Sequence, residues 1–107
     1  LESTSLAANV VIPDDTRVSL TDTDAHAGYP IGGLTWIIVF KEQNYSKRSQ
    51  EKGQEVVKLL WWMTHQGQKY VKPLKYAPLP KAAVEKAERL IKSITYNGKS
   101  LLSDVMK

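Results

Sequence analysis

Residues 27–40 read AGYPIGGLTWIIVF, and the reading of this stretch decides the fold. A polar entry punctuated by Gly28, Pro30, Gly32 and Gly33 runs into Leu34-Thr35-Trp36-Ile37-Ile38-Val39-Phe40. An apolar run of that length, bounded by turn signals and rich in β-branched and aromatic side chains, has the pattern of a strand buried on both faces. Such strands belong to parallel or mixed sheets with helices over both sides. The expected fold class is therefore α/β. Little else in the chain can extend or cover such a sheet, so much of the architecture is expected to lie outside these 107 residues.

Working outward, length and an apolar share of 42% fit one small domain at most, and argue against disorder. Cysteine is absent, which removes disulfide scaffolds, thiolate zinc sites and thiol catalysis. The longest apolar run, residues 34–40, falls far short of the ~20 residues of a membrane helix. The first residues, Leu1-Glu2-Ser3-Thr4-Ser5, have no initiator Met and no pattern of an export signal, and read as an internal cut. The net charge of +4 conceals an asymmetry: residues 1–40 carry −4 and residues 41–107 carry +8. The cations are spread through helical patterns, with Lys47-Arg48 the only adjacent pair, and read as solvated helix faces.

Residues 2–9 fit the tail of a helix whose start is missing. Pro13-Asp14-Asp15 is a stop and a turn. Thr16-Arg17-Val18-Ser19-Leu20 alternates polar and apolar, the pattern of a half-exposed edge strand. Residues 21–28 are acidic and turn-rich, a connector between two bodies. From about Ser49 to Tyr70 the apolar period becomes helical through Val56, Leu59, Leu60, Met63 and Tyr70, and Gly67 should end or bend that helix. Adjacent Trp61 and Trp62 imply that two layers meet there. The prolines of Tyr76-Ala77-Pro78-Leu79-Pro80 force an extended segment, and Pro80 suits the first position of a helix from about Lys81 to Ile94. That helix should bury Val84, Ala87, Leu90, Ile91 and Ile94 and pair Glu85 with Arg89. Asn97-Gly98 is a turn signal, followed by a tail with helical potential.

The order of these elements resembles one family. Glu2-Ser3, Ala7-Ala8, Gly28-Tyr29-Pro30-Ile31, the apolar run over 34–40 and Lys41-Glu42 are followed by Leu60-Trp61, Thr64, Gly67-Gln68, Leu74 and Tyr76-Ala77-Pro78-Leu79-Pro80. Together they resemble the C-terminal third of the phosphate-binding protein of bacterial ABC-type phosphate transporters, over roughly residues 1–102. The resemblance implies part of a two-lobed periplasmic-binding-protein fold, type II-like, with one buried strand and a short edge strand packed with two or three helices. It implies that residues 1–24 end the second lobe, residues 25–33 recross the hinge with Gly28, Tyr29 and Pro30 as the hinge and cleft candidates, and residues 34–107 complete the first lobe. It implies inorganic phosphate as ligand of the full-length parent, a membrane permease as partner, and a periplasmic or extracytoplasmic location in a bacterium. The family's phosphate ligands match no residue here, so no phosphate-binding residue is assigned in this segment.

Other chemistry is thin. His26 and His65 lie 39 residues apart. Asp22, Asp24 and His26 alternate, but read as a solvated acidic loop rather than a metal site. His65 near a helix C-terminus is favoured there by the helix dipole. Gly32-Gly33 precedes a strand, the wrong order for a phosphate cradle. Trp36, Trp61, Trp62, Tyr70 and Tyr76 read as core. No catalytic residue, metal or cofactor is assigned, and an enzyme is not expected. The expected function is the solute-binding component of phosphate uptake, with no nucleic-acid partner. The alternative is a basic interaction module that binds nucleic acid or an anionic surface. Self-association is expected if the chain folds alone, because the truncated sheet edge and the Trp61-Trp62 helix need cover.

Overall fold

A computed structural model describes residues 11–22, 27–28 and 30–106. Helix α1, Gln50–Thr64, starts where the sequence supplies a cap: the Ser49 hydroxyl accepts from the Lys52 N–H at 3.3 Å, satisfying one of the donors a helix start leaves open. Glu51 lies in the first turn, where the helix dipole favours an anion. Gly53 and Val57 are buried, and Leu60 and Trp61 pack against the core from the same face. The helix stops at His65, earlier than its period predicts. The chain then tightens into a 3-10 turn, Gln66–Tyr70. Gly67 is required inside that turn, since a Cβ there would stand 3.0 Å from both the Trp62 ring and the Trp62 carbonyl oxygen.

Helix α2, Lys81–Lys92, starts where expected and ends two residues before the expected Ile94. Pro80, with φ −68 and ψ 155, flanks the helix as its cap and is not its first turn. Ala83, Ile91 and Ile94 are buried, while Leu90 turns outward. Glu85 faces Lys81 at 3.9 Å, and Arg89 reaches Asp14 at 4.0 Å, in place of the expected Glu85–Arg89 pair. Strand β1, Thr95–Tyr96, and strand β2, Lys99–Ser100, form an antiparallel hairpin with Thr95 opposite Ser100 and Tyr96 opposite Lys99. The Asn97-Gly98 loop has φ of 52 and 79, the paired positive values that a two-residue hairpin loop demands and that Asn-Gly supplies. Helix α3, Leu101–Val105, then drops Leu101 and Leu102 into the core.

That core is a single cluster of Val57, Ile91, Ile94, Leu101 and Leu102, flanked by Leu60, Trp61, Tyr96 and Val105. Gly53 permits its closest approach: a Cβ there would lie 3.0 Å from Leu101 Cδ1 and 3.2 Å from Gln43 Cβ.

The expected buried strand does not form. Residues 34–40 carry no ladder, and Ile38 is 94% exposed, Phe40 66% and Trp36 48%. The expected edge strand over 16–20 has no ladder either. Among the described residues, bridges outside the hairpin join only Thr21 to Ile31, antiparallel, and Glu42 to Thr95, parallel. The reason is one of supply. A strand buried on both faces needs neighbouring strands and two covering layers, and among the described residues the only ladder is the short β1–β2 hairpin, which does not include residues 34–40. The architecture is a small mixed helix-and-strand domain with a two-stranded antiparallel sheet.

Candidate functional site

Of the residues expected to form a hinge, Pro30 lies where two passes of the chain come together. Thr21 and Ile31 bridge, and the Asp22 N–H donates to the Pro30 carbonyl at 2.7 Å, so two passes of the chain run side by side. Gly28 is half-buried and Pro30 exposed. Tyr29, and the Asp24 and His26 of the alternating acidic loop, lie outside the described residues. Asp14 and Asp15 form the predicted turn. The Arg17 side chain, bonded to Asp15, holds that carboxyl below its usual range. The Lys86 ammonium, bonded to Asp14, does the same there and ties this segment to α2.

Beyond this pairing, the chain enters a knot centred on Glu42. The Glu42 carboxylate accepts from Thr95 Oγ1 at 2.8 Å and from the N–H groups of Asn44 at 3.0 Å, Asn97 at 2.8 Å and Gly98 at 3.2 Å. The Thr95 hydroxyl contributes most to holding the carboxyl down at about 2, with the three amides adding to it. The Gln43 N–H donates to the Thr95 carbonyl and the Thr95 N–H to the Lys41 carbonyl, both at 2.8 Å. One exposed carboxylate thus stitches the strand hairpin to the segment that leads into α1.

Next to this knot lies an open groove of about 290 Å³, walled by Ile38, Val39 and Phe40 on one side and by Tyr45, Arg48 and Val56 on the other. Gln43 is 1% exposed within it. Its Nε2 donates to the Phe40 carbonyl at 2.6 Å, while its Oε1 and the Arg48 Nε are buried without a hydrogen-bond partner. Buried polar groups are normally paired, and these two atoms are exceptions among the residues that line the groove. The Tyr45 ring sits 4.5 Å from the Phe40 ring and 5.1 Å from the Arg48 guanidinium carbon. Sequence reasoning missed Gln43 because it sits between two polar residues and outside any periodic pattern.

At the far end of α1, His65 stacks on Trp61, centroids 4.0 Å apart and 14° between planes. Its Nε2 lies 2.8 Å from Glu88 Oε1, and its Nδ1 lies 2.8 Å from the Trp61 carbonyl and 3.0 Å from Thr64 Oγ1. Hydroxyl, imidazole and carboxylate in a row invite comparison with a nucleophile and its base. The Thr64 hydroxyl, however, lies 3.1 Å from the carbonyls of Leu60 and Trp61 and donates back into its own helix. The arrangement caps α1 and fastens it to α2. A second tie runs through Gln68, whose Nε2 donates to the Met63 carbonyl at 2.7 Å and whose Oε1 accepts from the Leu79 N–H at 2.8 Å. The Gly67-Gln68 turn and the Tyr76–Pro80 segment are therefore one mechanical unit.

The aromatic side chains depart from expectation. Trp61 packs on the core, but Trp36, Trp62, Tyr70 and Tyr76 are exposed. Several cations are paired, Lys58 with Glu55 at 3.1 Å and Lys86 with Asp14 among them, which thins any continuous basic patch. Among the described residues no group of three His, Asp or Glu side chains is placed to hold a metal ion, and no helix is long and apolar enough to cross a membrane. Compared with protein-family models, curated proteins and solved structures, the chain matches none.

Proposed function

We propose that this chain is the C-terminal part of a two-lobed, extracytoplasmic solute receptor serving ABC-type phosphate uptake. The observation that carries the reading is the open apolar run at residues 34–40. It has the composition of a doubly covered strand, yet stands exposed beside a helical core already satisfied within itself. A sheet whose other strands come from elsewhere in the same lobe accounts for both facts. The pinched neck at Thr21 and Ile31 supports a place where two chain crossings lie side by side, as a hinge between lobes requires. The Gln68 bridge supports it further, because it joins two of the short motifs on which the resemblance rests.

On this reading the present residues supply scaffold and hinge, and the phosphate ligands lie in the remainder of the parent. Helix N-termini, hydroxyls and a guanidinium are the chemistry such a site needs. The test is calorimetric titration of inorganic phosphate into the full-length parent and, separately, into this chain. Saturable binding by the parent with none by the chain is the expected result. A parent that binds no phosphate would overturn the reading.

A further inference from the structure

The basic surface, thinned elsewhere by ion pairs, is unbroken at one loop. Residues 56–84 contain no Asp or Glu and five lysines. Three of these, Lys69, Lys72 and Lys75, stand exposed between the 3-10 turn and the extended segment before α2. None of the three is paired with a carboxylate among the described residues. The loop is closed by its own backbone: the Tyr76 N–H donates to the Val71 carbonyl and the Lys75 N–H to the Lys72 carbonyl, both at 2.9 Å. Lys75 completes the turn with a φ of 68, a conformation that glycine adopts without penalty and lysine does not. The turn by itself therefore does not account for a lysine there.

The same loop interleaves its cations with exposed apolar groups. Leu74 and Tyr76 are each 67% exposed and Tyr70 is 50% exposed. The Tyr70 ring lies 4.9 Å from Lys69 Nζ and 6.0 Å from the half-exposed Trp62 ring. A surface that is cationic and apolar at once is complementary to a partner that is anionic and apolar at once. A bilayer carrying anionic lipids is such a partner. Its surface potential attracts lysines, and its interface suits aromatic side chains with an apolar body and a polar tip. Nucleic acid fits the loop less well. Residues 56–84 hold no Arg, the cation whose planar fork reads phosphates and bases, and Leu74 offers no flat face on which a base could stack.

We propose that residues 69–76 dock on an anionic lipid bilayer, with Tyr70, Leu74 and Tyr76 entering the interface while Lys69, Lys72 and Lys75 meet the headgroups. The proposal stands apart from the receptor reading, since vesicle binding is measured without phosphate and the two can fail separately.

Flotation of the 107-residue chain with large vesicles tests it, one set of phosphatidylcholine alone and one of three parts phosphatidylcholine to one part phosphatidylglycerol. The chain should float with the anionic set and not with the neutral one, and raising NaCl from about 50 mM to about 500 mM should release most of it. Each lysine contributes about fivefold to such binding, so replacing Lys69, Lys72 and Lys75 together by Gln should weaken it about 100-fold. Replacing Lys41, Lys92 and Lys99 by Gln removes the same charge from exposed sites outside the loop and should weaken it less than about threefold. Lys75→Gly relieves the positive φ, so it should keep the fold, as circular dichroism and the urea midpoint report, yet bind about fivefold less. A wild-type chain that floats with neither vesicle, or a loop triple variant no weaker than the control triple, would overturn the proposal. So would a chain that bound a single-stranded oligonucleotide through these lysines while leaving anionic vesicles unbound.

Discussion

Gly53 and Leu101 offer a test in which one substitution should change sign. Glycine inside a helix costs about 1 kcal/mol relative to alanine, so Gly53→Ala alone ought to stabilise α1. The structure opposes this, because the new Cβ would lie 3.0 Å from Leu101 Cδ1 and 3.2 Å from Gln43 Cβ, both fully buried. Crowding of that kind costs about 1–3 kcal/mol, and the net expected effect is a destabilisation of about 1 kcal/mol. Leu101→Ala alone should cost about 3–4 kcal/mol, since Leu101 is 0% exposed and leaves a cavity. Once Leu101 is shortened, its contact with the new methyl disappears and the methyl occupies part of that cavity. In the Leu101→Ala background, Gly53→Ala should therefore stabilise by about 0.5–1 kcal/mol, a coupling of about 1.5–2 kcal/mol. Urea unfolding followed by tryptophan fluorescence measures all four corners of the cycle, at concentrations low enough to keep the chain monomeric. Equal effects of Gly53→Ala in both backgrounds would refute the reasoning, because they would show that Leu101 is not what the helix glycine accommodates.

Two further outcomes follow from the hydrogen-bond network. Glu42 has its carboxyl lowered from 4.5 to about 2, so its contribution to stability is complete above pH 4.5 and is lost as the pH falls toward 2. Wild type should exceed Glu42→Gln in urea midpoint at pH 6, with the gap closing by pH 2; a gap that is constant across that range would contradict the assignment. Gln68→Ala leaves the Leu79 N–H without its acceptor and should cost about 1–3 kcal/mol locally, read by hydrogen exchange as faster exchange at Leu79 than at the α2 amides; unchanged protection there would count against the bridge.

What the sequence made legible was local. The Asn97-Gly98 loop and the Lys81–Lys92 helix follow from the positive φ that Asn-Gly accepts and from an uninterrupted 3.6-residue period. The apolar run at 34–40 was legible as strand-like composition, but composition reports what a segment requires, and only the rest of the chain can supply it. The same limit applies to the exposed Trp62, Tyr70 and Tyr76, whose apolar character carries no record of which surface meets them. Gln43 was illegible for the opposite reason: a polar residue in a polar run gives no periodic signal, and its burial comes from α1 crossing over it at Gly53. The Thr64–His65–Glu88 row likewise needed the packing of α1 on α2 before any contact existed, since Glu88 is 23 residues from His65.

The Glu42 knot also bears on how the chain reaches this structure. It joins residues 53 to 56 positions apart, enclosing α1 and α2 within one covalent loop. Closing a flexible loop of that length costs about 3.5 kcal/mol of chain entropy, more than any one of its hydrogen bonds returns. The stitch can therefore form only after the two helices have packed and drawn its ends together. Hairpin docking is then a late event in folding, and residues 42–98 close into one loop that the Lys86–Asp14 pair ties back to the preceding segment.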